Sequence, residues 1–344
     1  MLQNKFGKMG IGLMGLSGNY GAGLTDAEFI EFIHGALKLG VQIFDTADAY
    51  DRSIGDEAKP GASGHNERLL GKALNSSGVM REHIFIATKC GFLTSDWSLD
   101  LSPKHIREAC EQSLKNLRTP YIDLFYIHRV PKNQAEFKSA LDTLAKLIQE
   151  KKIHYAGLSE ASAAQIRFAH EYFKQLGMPN ALLAVENEFS IFSPHNLDDG
   201  VLDACRELGI AFMPYSPLAR GMLTEAMKPD TRFGEGDFRG MLPRFQGENF
   251  KVNLAMRDRL AKLAAKKGCT LAQLALAWAM AQSGFICPIP GTKSLARLSE
   301  NLGALKVHLT AKDLEEIHSI CPKGAKGDRY TPEIRKVQNL PPVD

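Results

Sequence analysis

The sequence predicts an α/β fold of the (β/α)8 TIM-barrel type, with long loops at the C-terminal face of the strands. Three observations predict it. Eight short β-like runs alternate with longer amphipathic helical runs, and strict alternation implies a mainly parallel sheet. Several runs are nearly continuous in apolar residues, with Phe44, Phe85, Leu124, Phe125 and Phe212 inside them, as in strands buried on both faces. A doubly wound open sheet, the main alternative, often carries a Gly-x-Gly-x-x-Gly turn. Here Gly10, Gly12, Gly15 and Gly18 have another spacing and lead into Asn19-Tyr20-Gly21 rather than a helix. At 344 residues the chain has room for one barrel, so residues 1–344 are read as a single domain.

The expected strands are Ile11–Leu16, Val41–Thr46, Ile84–Thr88, Ile122–His128, Ile153–Ser159, Leu182–Glu186, Ile210–Tyr215 and Ile286–Pro290. Between them lie helices with legible ends. Thr25 with Glu28 forms a capping box, and Gly40 ends that helix. Ser102-Pro103 supplies a cap and a proline at the first helical position, and Ile106, Cys110, Leu114 and Leu117 then share one stripe. Residues Gln134–Gln149 repeat the pattern with Phe137, Leu141, Leu144 and Ile148. Gly209 and Gly268 close two later helices, Thr270 starts the next, and Thr310 with Asp313 caps a final one. Two inserted loops stand out, at about 51–63 and 228–248. The first is polar and rich in Gly and Pro; the second carries Arg232, Phe233, Phe238, Met241, Leu242, Arg244 and Phe245. Loops after barrel strands surround the active site, so both are expected to shape a substrate pocket.

Composition excludes several classes. With 42 basic and 39 acidic residues the net charge is +3, and no Lys/Arg run exceeds a pair, so nucleic acid is not an expected partner. No run of apolar residues is long enough for a membrane span, and the start, MLQNKFGKMG, lacks the apolar stretch of a signal peptide. Six cysteines are scattered without a CxxC pair, which suits free thiols in a reducing, cytoplasmic setting and no zinc site. No HExxH or other close ligand spacing suggests a metal, and no Gly-x-Ser-x-Gly elbow suggests a hydrolase. Oligomeric state is not legible.

Polar residues at the C-terminal ends of barrel strands point toward the site. In order these are Asp45 after the second strand, Tyr50 five residues on, Lys89 after the third and His128 at the end of the fourth. Singly, Asp45 reads as a turn cap, Tyr50 as a packed aromatic, Lys89 as a surface lysine and His128 as a satisfied buried group. On three adjacent strand ends they form a coherent acid–base set. An ammonium lowers the pKa of a nearby phenol, and a carboxylate keeps that ammonium charged. Tyr50 could then give a proton to a carbonyl oxygen as hydride reaches the carbon, with His128 orienting the carbonyl.

The sequence resembles the aldo-keto reductase family across nearly its whole length. The matching segments include Phe44-Asp45-Thr46-Ala47-x-x-Tyr50, Asn66-Glu67-x-Leu69-Leu70-Gly71-Lys72, Ala87-Thr88-Lys89 and Tyr121–Arg129. Further on come Gly157-Leu158-Ser159-Glu160, Tyr215-Ser216-Pro217-Leu218-Ala219-Arg220-Gly221, Pro243–Asn249, Ile289-Pro290-Gly291-Thr292-Lys293 and Glu300-Asn301-Leu302-Gly303. The likeness is strongest to members such as perakine reductase and related aldehyde or pyridoxal reductases. It implies a barrel that binds NADPH/NADP+ without a dinucleotide-binding Gly-rich turn, and a catalytic tetrad of Tyr50, Lys89, Asp45 and His128. It further implies that Tyr215 stacks on the nicotinamide, and that Ser159, Glu160 and Glu186 hold the carboxamide. Ser216, Leu218 and Arg220 would grip the pyrophosphate. The adenosine end would lie on Gly291, Thr292, Lys293, Arg297, Glu300 and Asn301. Lys293 and Arg297 are four apart at the start of a short helix, and two cations on one face there suit a 2′-phosphate, hence NADP over NAD.

Two positions depart from the family pattern: Glu186 stands where glutamine is usual, and Glu160 where asparagine is commoner. Two carboxylates beside the nicotinamide would repel unless one is protonated or paired elsewhere. The expected function is NADPH-dependent reduction of an aldehyde or reactive ketone, with a small-molecule carbonyl as the partner. The alternatives are a dedicated pyridoxal reductase and, in another class, an NADP(H)-binding regulatory subunit with weak turnover.

Overall fold

The structure is a computed structural model and describes residues 6–50, 64–93 and 96–337. Its centre is a parallel seven-stranded sheet in sequential order: β1 (Ile11–Gly12), β2 (Ile43–Asp45), β3 (Phe85–Cys90), β4 (Ile122–Ile127), β5 (Ile153–Ser159), β6 (Leu182–Glu186) and β7 (Ala211–Phe212). Sequential parallel order is what right-handed β–helix–β crossovers produce when each returns beside the last strand.

The expected strand Ile11–Leu16 is shorter, because helix α1 (Met14–Ser17) takes over after Leu13. The expected eighth strand does not form as a strand. Residues 286–290 nevertheless bridge the two edges of the sheet. Cys287 N and Ile289 N donate to Phe212 O and Pro214 O on one side, and Pro288 O and Pro290 O accept from Gly10 N and Gly12 N on the other. Pro288 and Pro290 have no N–H to return to the β1 side, so that ladder runs in one direction only.

The helix ends follow the sequence signals. Helix α2 (Asp26–Lys38) carries the Thr25–Glu28 capping box. After α3 (His65–Ser76), α4 (Pro103–Leu117) and α5 (Gln134–Gln149) run between the expected limits. Next come α6 (Ala163–Gln175), α7 (Val201–Leu208) ended by Gly209, and α8 (Gly247–Lys266). Helix α9 (Leu271–Ala281) starts on a Thr270 capping box; α10 (Leu295–Leu302), α11 (Ala311–Ile320) and α12 (Pro332–Val337) are the last helices among the described residues. The insertion at 51–63 lies outside the described residues.

Side chains alternate between two buried layers. Phe44, Ile86, Phe125 and Ile127 pack outward against the helices. Ile43, Phe85, Ala87, Leu124, Tyr126, Ala184, Met213, Cys287 and Ile289 form a second cluster on the other face of the curled sheet, with Phe6 against Phe85 at one end. Both faces are dry, which is why the strands read as continuous apolar runs. Space there is tight: a Cβ on Gly157 would lie 2.3 Å from the Tyr126 ring.

Candidate active site

The inward phase of the strands carries residues at or just beyond their C-terminal ends into the site. Side chains on one face recur every second residue. Ile43 inside therefore puts Asp45 inside; Phe85 and Ala87 put Lys89 there, Leu124 and Tyr126 put His128, Ala184 puts Glu186, and Met213 puts Tyr215.

Asp45 and Glu186 meet there around the Lys89 ammonium, and Tyr50 joins them. Lys89 Nζ donates to Asp45 Oδ1 at 2.5 Å, to the Thr46 carbonyl at 2.9 Å and to Tyr50 Oη at 3.3 Å. Glu186 Oε2 is 3.4 Å away. Lys89 is fully buried, and Tyr50 meets His128 edge to face at 5.9 Å. A layer of polar side chains holds these strand ends. Asn66 accepts from Thr46 Oγ1 and donates to the Leu13 carbonyl and Ser17 Oγ; Glu67 accepts from Thr88 Oγ1 and Asn116 Nδ2.

Burial opposes charge on Lys89, but Asp45, Glu186 and the phenol together carry its pKa above the ordinary range, so it stays an ammonium. For Tyr50 burial is the largest influence and raises the phenol pKa. Lys89 pulls it down, while Asp45 and Glu186 push it up. The net lowering expected from Lys89 alone is thus overturned, and the proton stays on Tyr50. Burial, then the charges of Arg129 and Lys89, hold His128 well below its usual range, so it is a neutral imidazole. Its Nδ1 is buried with no partner among the described residues.

These groups stand at one end of a cavity of about 1300 Å³. Asp45, Tyr50, His128, Ser159, Glu186, Tyr215, Ser216, Leu218, Arg220, Gly291, Thr292, Lys293, Arg297, Glu300 and Asn301 all line it. Two expected residues do not. Lys89 lies behind Asp45 and Tyr50. Glu160, buried, is bound at both oxygens by Arg329, at 3.2 and 3.0 Å, and accepts from Glu188 N. This ion pair explains how two carboxylates coexist there: Glu160 is paired elsewhere and Glu186 faces Lys89.

Other expectations are changed by pairing. Arg220 lines the cavity, but its guanidinium donates to Glu188 Oε2 at 3.0 Å, Tyr330 Oη at 2.7 Å and Tyr20 Oη at 3.2 Å. Lys293 does not share a helix face with Arg297. It precedes the Ser294 cap, and its ammonium donates to the backbone carbonyls of Tyr20 and Ala22. Arg297 is exposed in the first turn of α10. From the 228–248 loop, Thr231, Phe238, Arg239 and Met241 reach the cavity, whereas Leu242 and Phe245 pack in the core.

Sequence reasoning missed the C-terminal contribution. Tyr330 lines the cavity, and its hydroxyl lies 3.0 Å from that of Tyr215; Arg329 anchors the segment through Glu160. Nothing periodic marks residues 321–331, and only Thr331-Pro332 signals the short helix that follows. Asn19, Trp97, Ser216 and Arg220, all lining the cavity, have positive φ between 50° and 67°. Such strain in non-glycine residues concentrates at functional sites.

The sequence model of the Aldo/keto reductase family matches residues 8–321. The chain belongs to that family. This places it among oxidoreductases that interconvert carbonyls and alcohols. Among solved structures it is similar to a glycerol dehydrogenase, AKR11B4, from Gluconobacter oxydans, at 26% identity over 98% of this chain and 94% of that one, with a TM-score of 0.77. It is also similar to the thermostable aldo-keto reductase Tm1743 in complex with epalrestat, at 25% identity over 91% and 94% of the two chains, TM-score 0.69. In fold it matches the aldo-keto reductase AKR11C1 from Bacillus halodurans, at 24% identity over 94% and 95%, TM-score 0.71. Among the described residues no helix is long and apolar enough to cross a membrane.

Proposed function

We propose that this chain is an NADPH-dependent reductase of aldehydes and reactive ketones, with the curled sheet and residues 286–290 serving as a (β/α)8 barrel. The observation that carries the reading is the Tyr50 phenol 3.3 Å from a fully buried Lys89 ammonium, itself fixed by Asp45.

The cavity fits a dinucleotide as well as a substrate. Its volume exceeds the roughly 300–1,000 Å³ of ordinary small-molecule sites. It runs from the tetrad to the N-terminus of α10, where the helix dipole and the exposed Arg297 favour a phosphate. Tyr215 offers a face for the nicotinamide, and Ser159 and Glu186 offer polar groups at its edge. Bound NADPH supplies a hydride at the nicotinamide ring. Tyr50, kept protonated by burial, donates its proton to the carbonyl oxygen, and Lys89 stabilises the phenolate left behind. His128, neutral, can donate an N–H to the same oxygen. The free thiols among the described residues agree with a reducing compartment.

The test is NADPH oxidation with a panel of aldehydes that includes pyridoxal and glyceraldehyde. Tyr50→Phe should lower turnover by about 10²–10⁴-fold while cofactor binding persists. Near-normal turnover in that variant would remove Tyr50 from the mechanism. Arg297→Ala should weaken NADPH binding about 10- to 100-fold, as expected for loss of one charge-assisted contact, with little change for NADH. Equal losses for both cofactors would refute the phosphate role.

A further inference from the structure

Two buried carboxyl groups face one ammonium. Asp45 Oδ1 is 2.5 Å and Glu186 Oε2 3.4 Å from Lys89 Nζ, and all three residues are at most 2% exposed. Asp45 Oδ2 and Glu186 Oε2 are both buried with no hydrogen-bond partner among the described residues, yet the two carboxyl groups lie within hydrogen-bonding reach of each other. If both were ionised, one negative charge would be left without its own counter-ion at the buried end of the cavity, which is costly.

The groups packed around Glu186 do not cancel that charge. Tyr50 and Tyr126 are phenols that burial keeps neutral. His128 is a neutral imidazole, and Ser159, the register partner of Glu186 on β5, is a hydroxyl that accepts from the buried Arg129 guanidinium, whose charge acts on Glu160. Among the described residues Lys89 is the only ammonium in the cluster, and Asp45 is its nearer counter-ion. A single proton between the two carboxyl groups balances the charge and supplies the hydrogen bond that both oxygens lack.

We propose that Glu186 carries a proton shared with Asp45 before cofactor binds, and releases it when an oxidised, positively charged nicotinamide enters the cavity. The second half rests on the cofactor reading above. The balance is simple: protonated protein plus oxidised cofactor gives a complex with ionised Glu186 and one proton in solvent. Reduced cofactor has an uncharged ring and displaces no proton. Burial, then the charge of Asp45, places Glu186 well above the usual carboxylate range, in the same direction. By linkage, affinity for the oxidised cofactor rises with pH as long as Glu186 must lose its proton on binding.

Titration calorimetry in two buffers of different ionisation enthalpy, with NADP+ and with NADPH, reads the proton directly. Near neutral pH the wild type should release about one more proton with NADP+ than with NADPH, and its NADP+ affinity should rise about tenfold per pH unit. Glu186→Gln should abolish both effects. Equal release with the two cofactors, or an unchanged difference in the variant, overturns the linkage. Infrared spectroscopy of the cofactor-free protein tests the shared proton separately. A protonated-carboxyl C=O band should be present in the wild type and lost in Glu186→Gln; a wild type without such a band overturns the shared proton, whatever the variant's stability. If neither cofactor binds, the cofactor reading falls together with the linkage, while the infrared band still decides the protonation of Glu186.

Discussion

Replacing Arg329 by methionine removes the partner of a buried carboxylate and keeps most of the aliphatic volume. Arg329 and Glu160 are each 3% exposed at the side chain, and they meet through two hydrogen bonds of 3.2 and 3.0 Å. Breaking such a pair costs about 3–5 kcal/mol, because a charge stays buried. Proton linkage gives the dependence on pH. Burial opposes ionisation of Glu160, but Arg329 and then Arg129 hold its pKa at about 2, against an ordinary 4.5. The gap, 4.5 − 2, corresponds to roughly 3 kcal/mol. Both point the same way, and a loss of this size is a large part of a typical total stability of about 5–15 kcal/mol. The sign with pH follows. A depressed pKa stabilises the fold fully above 4.5, and the contribution is lost as pH falls toward 2. Urea unfolding near neutral pH should therefore show Arg329→Met less stable by about 3 kcal/mol, and the difference should narrow at about pH 3.5. The double variant Glu160→Gln/Arg329→Met should be more stable than Arg329→Met alone, since the carboxylate that lost its partner is then gone. A single variant within about 1 kcal/mol of wild type, or a difference that does not change with pH, would refute the argument.

The neighbouring residue carries a functional prediction. Tyr330→Phe deletes a hydroxyl that accepts from Arg220 and contacts Tyr215 Oη, so steady-state kinetics should show turnover reduced about 5- to 10-fold, with stability down by about 1 kcal/mol. Unchanged turnover and cofactor affinity would show that Tyr215 needs no support from the C-terminal segment. Gly157→Ala forces a methyl into the Tyr126 ring, whose hydroxyl donates to Met213 Sδ, and should cost roughly 3 kcal/mol in a thermal or urea melt. A wild-type melting curve would mean that the face of the sheet occupied by Tyr126 can relax around a Cβ.

The sequence by itself determined the features that depend on near neighbours. Caps and apolar stripes placed Pro103–Leu117 and Gln134–Gln149 at their observed limits, because a cap satisfies donors within its own first turn. The strand ends singled out Asp45, Lys89 and His128 in the sequence, and the structure puts them on the same side as the apolar residues two before them, because side chains on one face of a strand recur every second residue. Only the tertiary structure decided which charges meet. Glu160 finds Arg329 across 169 positions, and Arg220 finds Glu188 and Tyr330 across 32 and 110. No local pattern encodes these pairings, since they depend on which loops and which end of the chain converge on the cavity. The same holds for Tyr50. The sequence shows the lysine that lowers a phenol's pKa, but burial is a property of the whole fold, and here burial prevails.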